Sequence, residues 1–239
     1  MFVFIAIAAA VMALAHTAPF PFVLEAFSPS RSLWHVDSRP GEGPSLYLTF
    51  DDGPNAEWTP PLLDALRDTD ARATFFLIDD HITPATEAIV RRMADEGHAI
   101  GLHSGTRRLM LEAPQDLARR LGHNAARIAA ITGREPCRLF RPHAGWRGGQ
   151  MYAGLDLAGD RLAGWSWGMW DFDWWRVPKG DKVAARLARM ASDGDIVVIH
   201  DGHHKDPRAD RRHAAEAVRR LVPELRARGF GFRPLCEAP

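Results

Sequence analysis

Seven short apolar runs, near residues 45–50, 72–78, 99–102, 137–140, 161–167, 195–199 and 230–235, alternate with stretches of helical character near 58–68, 84–96, 114–132, 148–157, 180–191 and 210–228. Alternating strand and helix implies parallel strands joined by crossovers, with helices packed over them. Two architectures satisfy this pattern, an open doubly wound sheet and a closed barrel. Seven strands within about 190 residues favour the barrel. The expected fold is therefore α/β, a distorted (β/α) barrel of about seven parallel strands.

Local signals agree with that pattern. Between 84 and 96, Ile89, Val90 and Met93 share one side, while Arg91, Arg92, Asp95 and Glu96 fall largely elsewhere. Pro84 and Pro114 suit first helical turns, and Gly97, Gly133 and Gly229 suit C-terminal caps. Ala214, Ala217, Val218, Leu221 and Leu225 form a stripe along the arginine-rich stretch 207–228, whose remaining side is expected to be solvated and without a ligand role. Trp165 and Trp167, at strand spacing, are expected in the barrel core.

From Met1 to Leu24 there is no charged side chain. As a helix, 24 residues would span roughly 36 Å, enough for a bilayer. Pro19 and Pro21 would disturb its second half. Ala13-Leu14-Ala15 resembles a small-residue cleavage site, although a basic n-region is missing. Residues 1–24 are expected to be a hydrophobic signal or membrane anchor, 25–44 a linker rich in Ser, Pro and Gly, and 45–239 one catalytic domain outside the cytoplasm. Secretion is the alternative to anchoring. Lys and Arg total 30 and Asp and Glu total 30, so the formal charge is zero and nothing suggests a nucleic-acid partner. Two cysteines, Cys137 and Cys236, are too few for a disulfide framework, and nothing in the sequence supports a bridge between them. The oligomeric state is not written in the sequence.

Polar residues gather at one end of the strands. Asp51 and Asp52 close the first, Asp79 the second, His103 the third and Arg141 the fourth. Trp170, Asp171 and Asp173 follow the fifth, and His200 and Asp201 close the sixth. The C-terminal rim is where sites assemble in barrels of parallel strands. Neighbouring side chains on a strand point to opposite faces. For Asp51 and Asp52 to share a site, the backbone must turn there, which Gly53 and Pro54 allow.

In Thr49 to Pro54 the chain resembles the first motif of the polysaccharide deacetylases built on the NodB homology domain, carbohydrate esterase family four. Phe140-Arg141-Pro142 with Gly145 resembles the third motif, Asp173-Trp174 the fourth, and Ile196 to His200 the fifth. The resemblance covers roughly residues 45–236 and implies removal of acyl groups, usually acetyl from an amino sugar, with a divalent metal such as zinc. It implies a metal held by Asp52 and His103, Asp51 as base, His200 as acid, Arg141 paired with Asp51, and Asp173 orienting His200. Trp174, with Val198 opposite, would border the acyl methyl group, and Trp170 would stack on sugar.

The second motif departs from the family. Its usual second histidine, the third protein ligand, is replaced by Arg107 in His103-Ser104-Gly105-Thr106-Arg107. Arginine stays protonated and offers no lone pair. His143, where the family commonly has proline, is the candidate substitute, with Asp79 and His203 as weaker ones. His98 precedes its strand and belongs at the opposite end of the barrel. Arg107 is instead a candidate for contact with a phosphate or carboxylate on the substrate. Two other readings follow from Arg107: a metal-free member that binds glycan without turnover, and a deformylase acting on a lipid-linked amino sugar. A carbohydrate substrate, and a membrane partner through the N-terminal segment, complete the expectation.

Overall fold

The computed structural model describes residues 32–37, 41–172 and 178–236, together with Phe4, Ile5 and Ile7. The expected anchor over 1–24, apart from those three residues, lies outside the described residues, as do Asp173 and Trp174. Among the described residues, no helix is long and apolar enough to cross a membrane.

Among the described residues, eight strands form one sheet: β1 (Ser32–Leu33), β2 (Ser45–Gly53), β3 (Thr74–Ile78), β4 (Ala99–His103), β5 (Leu139–Arg141), β6 (Arg161–Ala163), β7 (Ile196–His200) and β8 (Gly231–Phe232). Their order is β1-β6-β5-β4-β3-β2-β7, with β8 also on β2, and the paired strands are all parallel. Between β7 and β6 the circle is closed by the connection that leaves β6. Ser166 N–H donates to the Ile196 carbonyl at 2.9 Å, Val198 N–H to the Met169 carbonyl at 2.9 Å, and Trp170 bridges Val198. The result is the distorted barrel expected from the alternation.

Helices α1 (Thr59–Asp68), α2 (Glu87–Asp95), α3 (Pro114–Thr132), α4 (Gly149–Ala158), α5 (Gly180–Met190) and α6 (Arg212–Arg226) cover the strands. Gly97, Gly133 and Gly229 all adopt the left-handed conformation (φ +79°, +71° and +87°) that ends a helix. Pro84 does not open its helix: Thr83 and Thr86 form a turn in which Thr86 Oγ1 accepts from Thr83 N–H at 2.8 Å, and α2 begins at Glu87. The predicted stripe of α6 is buried throughout.

Three expectations change. Part of the presumed linker belongs to the barrel, because β1 pairs with β6 and His35 bridges Asp195. Trp165 is core at 5% exposure, but Trp167 is 57% exposed. The strand expected over 161–167 ends at Ala163, and a turn at Gly168 (φ +76°) carries Trp167 outward. The cysteines are joined: Cys137 and Cys236 form a disulfide with Cα atoms 6.1 Å apart, across 99 residues of sequence. The bond ties the start of β5 to the segment after β8. There Leu235 packs on the inner clusters around Phe76 and Val198 and donates its N–H to Thr74 Oγ1 at 2.8 Å, covering the N-terminal mouth of the barrel.

A cross-link closing a loop of this length removes entropy from the unfolded chain. Cys137→Ser is expected to lower the unfolding free energy by about 2–4 kcal/mol, measured as a lower urea midpoint with the native circular dichroism retained in buffer.

Candidate active site

Strand register places the rim residues at one level. Asp51 lies beside His200, Ile78 beside His103, and His103 beside Arg141. At Asp52 the backbone turns into the left-handed region (φ +68°) and the pairing with β3 slips between Asp51 and Gly53. That break in the alternation lets adjacent carboxylates serve one site. Such a conformation costs a non-glycine residue about 1–3 kcal/mol, and the surroundings hold it. His81 donates a ring N–H to the Asp52 carbonyl at 2.9 Å, and Gly202 lies so close that a β-carbon there would sit 1.9 Å from the same oxygen.

Asp51 is paired with Arg141 at 2.6 Å, both groups being essentially excluded from water. The guanidinium also donates to Thr49 Oγ1 (2.6 Å) and to the carbonyls of Gly164 (2.7 Å) and Ala163 (3.3 Å), with its carbon 4.0 Å from the Phe76 ring centre. Behind this pair lies Asp201, fully buried, which accepts from Thr59 Oγ1. Burial raises its carboxyl to about 7; the Thr59 bond opposes this, and the charges of Asp51 and Asp52 add to it.

Asp52 Oδ1 and His103 Nε2 stand 3.1 Å apart. Burial alone would raise the Asp52 carboxyl, but its bond to His103 and the nearby imidazoles of His103, His200 and His143 hold it well below the usual carboxylate range. The other nitrogen of His103, Nδ1, donates to the Arg141 carbonyl at 2.6 Å. When Nε2 gives up the proton it shares with Asp52, the neutral ring keeps Nδ1–H on that carbonyl and turns a lone pair toward the carboxylate oxygen. Two lone-pair donors at this spacing suit a single cation with metal–ligand bonds of about 2.0–2.2 Å.

No set of three histidine, cysteine or acidic side chains assembled for a metal is present among the described residues. His143 is near the pair electrostatically, and its ring centre lies 4.4 Å from that of His204, a residue sequence reasoning passed over. Burial, aided by His204 and His103, holds His143 down to about 4. The weaker candidates are engaged elsewhere. Asp79 pairs with Arg127 at 3.0 Å, and His203 Nδ1 accepts from the N–H groups of Lys205 and Asp206. His98 is buried at the far end, accepting from Ala73 N–H, as its place before β4 implied. Arg107 stacks 5.2 Å from the Trp146 ring centre.

Beside His200 Nδ1 stands Asp171, at 2.7 Å; the expected Asp173-Trp174 motif lies outside the described residues. Burial would lower the proton affinity of His200, but Asp171, with Asp52 and Asp51 further off, raises it to about 9. Trp170 stacks on Phe172 at 5.4 Å, and Phe172 meets the His200 ring edge-on at 5.9 Å. This aromatic shelf includes a residue, Phe172, that the sequence reading missed between its two aspartates. Val198 is 1% exposed in the inner cluster with Tyr47 and Trp165.

Residues 38–159 match the family model described as polysaccharide deacetylase. A chitooligosaccharide deacetylase of Sinorhizobium fredii is 33% identical over 205 residues, covering 82% of this chain and 93% of that one. The chain belongs to the polysaccharide deacetylase family. A peptidoglycan-N-acetylglucosamine deacetylase of Bacillus cereus is 29% identical over 204 residues, covering 85% of this chain and 91% of its own. Among solved structures, a family 4 acetyl xylan esterase from Clostridium thermocellum in complex with a cobalt ion superposes with TM-score 0.67 at 28% identity, covering 80% of this chain and 87% of that one. Membership makes this deacetylase a hydrolase of acylated carbohydrate, in a family whose members generally depend on a metal.

Arg141→Met would strand the buried Asp51 charge and three further acceptors. Breaking a buried pair this way is expected to cost about 3–5 kcal/mol, seen as a reduced urea midpoint.

Proposed function

We propose that the protein removes N-acetyl groups from amino-sugar units of a cell-envelope glycan, with Asp51 as base, His200 as acid and a divalent ion held by Asp52, His103 and His143. The supporting observation is the convergence at one rim of the Asp52–His103 pair, the Asp51–Arg141 pair and a His200 ring held by Asp171. Named relatives acting on peptidoglycan and chitooligosaccharides favour that substrate class.

An amide carbonyl resists water, and the ion supplies the Lewis acid that polarises it when bound. Asp51 takes a proton from the attacking water, its carboxylate steadied by Arg141. Asp171 accepts from Nδ1–H of His200, which leaves the proton on Nε2 to pass to the amine nitrogen as the C–N bond breaks. Acetate and a free amine result. His143, held unprotonated at neutral pH, keeps a lone pair for the ion, replacing the donor that Arg107 cannot provide. Trp170 and Phe172 offer a face for a sugar ring, joined in this proposal by Trp174, while Val198 backs the wall and Arg107 meets an anionic substituent. The disulfide favours an oxidising compartment outside the cytoplasm, consistent with an anchor or signal over 1–24.

Incubation with N-acetylated amino-sugar oligomers is expected to release acetate, with loss on chelation and recovery on adding back a divalent ion. Asp51→Asn should lower kcat by about 10²–10⁴-fold; a metal-dependent activity that survives it would refute the assigned base. Because only the imidazolium can give a proton, kcat should fall as pH rises through about 9. Elemental analysis should find one ion per chain, reduced in His143→Ala. Arg107 at the lost ligand position favours a second reading, a metal-free glycan-binding protein, and a chain that takes up no zinc or cobalt would establish it.

A further inference from the structure

Asp171 is 3% exposed, and its carboxylate serves three donors. Oδ1 accepts from His200 Nδ1 at 2.7 Å; Oδ2 accepts from the His200 backbone N–H at 2.8 Å and from His213 Nε2 at 2.7 Å. His213 is the second residue of α6, a helix outside every motif described above, and its side chain is 3% exposed. A histidine on the inward side of a helix is ordinarily a satisfied core residue. Here its bond ends on the same carboxylate that holds the ring of the acid. Burial would raise the Asp171 carboxyl, yet His200 and His213 hold it well below the usual range, so it is ionised and His213 is the donor. Donors to one carboxylate share its charge, and each weakens what the others receive.

We propose that His213 is a positioning residue, which fixes Asp171 and, by drawing on its charge, limits how tightly His200 keeps its proton. The inference rests on the reading of His200 as the acid. Other charged groups surround the array. Asp51 and Asp52 of β2 act on His200, which in turn acts on His203 of the loop after β7. Lys179, Asp181, Asp210, Arg212 and Glu216 line, with His213, a cavity of about 230 Å³. They remain in place when only His213 is changed, so a difference between variants reports on the bond to Asp171.

The experiment follows the His200 ring proton by NMR across pH in the full protein and in His213→Ala, His213→Leu and His213→Gln, alongside the pH profile of kcat. Leucine fills the space without a donor, guarding against collapse in the alanine variant, while glutamine retains an N–H. The titration midpoint of His200 is expected to rise by about 0.5–1 pH unit in the alanine and leucine variants and to return towards the native value in the glutamine variant. The high-pH limb of kcat should move with it, with KM unchanged. A midpoint that stays put in both donor-free variants, as a merely structural histidine would leave it, overturns the proposal. A midpoint that moves while the activity limb does not supports the hold of His213 on His200, and instead removes His200 from the acid's role.

Discussion

The Arg141 guanidinium is the point on which the barrel and its chemistry both depend. It is fully buried, and its hydrogen bonds reach β2 through Thr49 and Asp51 and the exit of β6 through Ala163 and Gly164. Taking such a charge out of water is costly, and only a matched partner with further acceptors offsets it. Asp51 supplies the match, so the carboxylate proposed as the base is also what allows an arginine to occupy the barrel interior. In that proposal stability and catalysis share one ion pair.

Around that pair, the rim residues are set by register more than by local conformation. Asp51, His200, His103 and Arg141 reach the same level because four parallel strands end together. Asp52 is the exception. It joins them through a backbone conformation that a strand would not adopt, held by His81 and by the bare backbone of Gly202.

Much of this was legible in the sequence. Short apolar runs and helical spacing located the strands and helices because burial imposes those periods. Asp51, Asp52, His103, Arg141 and His200 were legible because each sits at the end of such a run. What escaped notice depends on contacts between distant segments. Asp171 follows the same strand as Asp173, and spacing alone does not reveal that it turns toward His200. His213 lay on a helix whose stripe accounted for its apolar residues and so invited no search among the others. Trp167 matched a strand period, but the strand stops at Ala163 and the chain turns at Gly168. The bridge between Cys137 and Cys236 required knowing that the chain returns across the barrel mouth, which no local pattern encodes.

The covalent ring made by that bridge encloses Arg141, His143, Asp171, His200 and His213, and leaves Asp51, Asp52 and His103 outside it. The proposed acid, His200, and the proposed cation-binding carboxylate, Asp52, thus sit on opposite sides of a topological divide. Cys137 must wait for Cys236, which arrives only after the last strand has passed β2. Closing that ring pins the segment after β8 to the start of β5, so the last strand cannot leave β2 without pulling on the floor of the barrel.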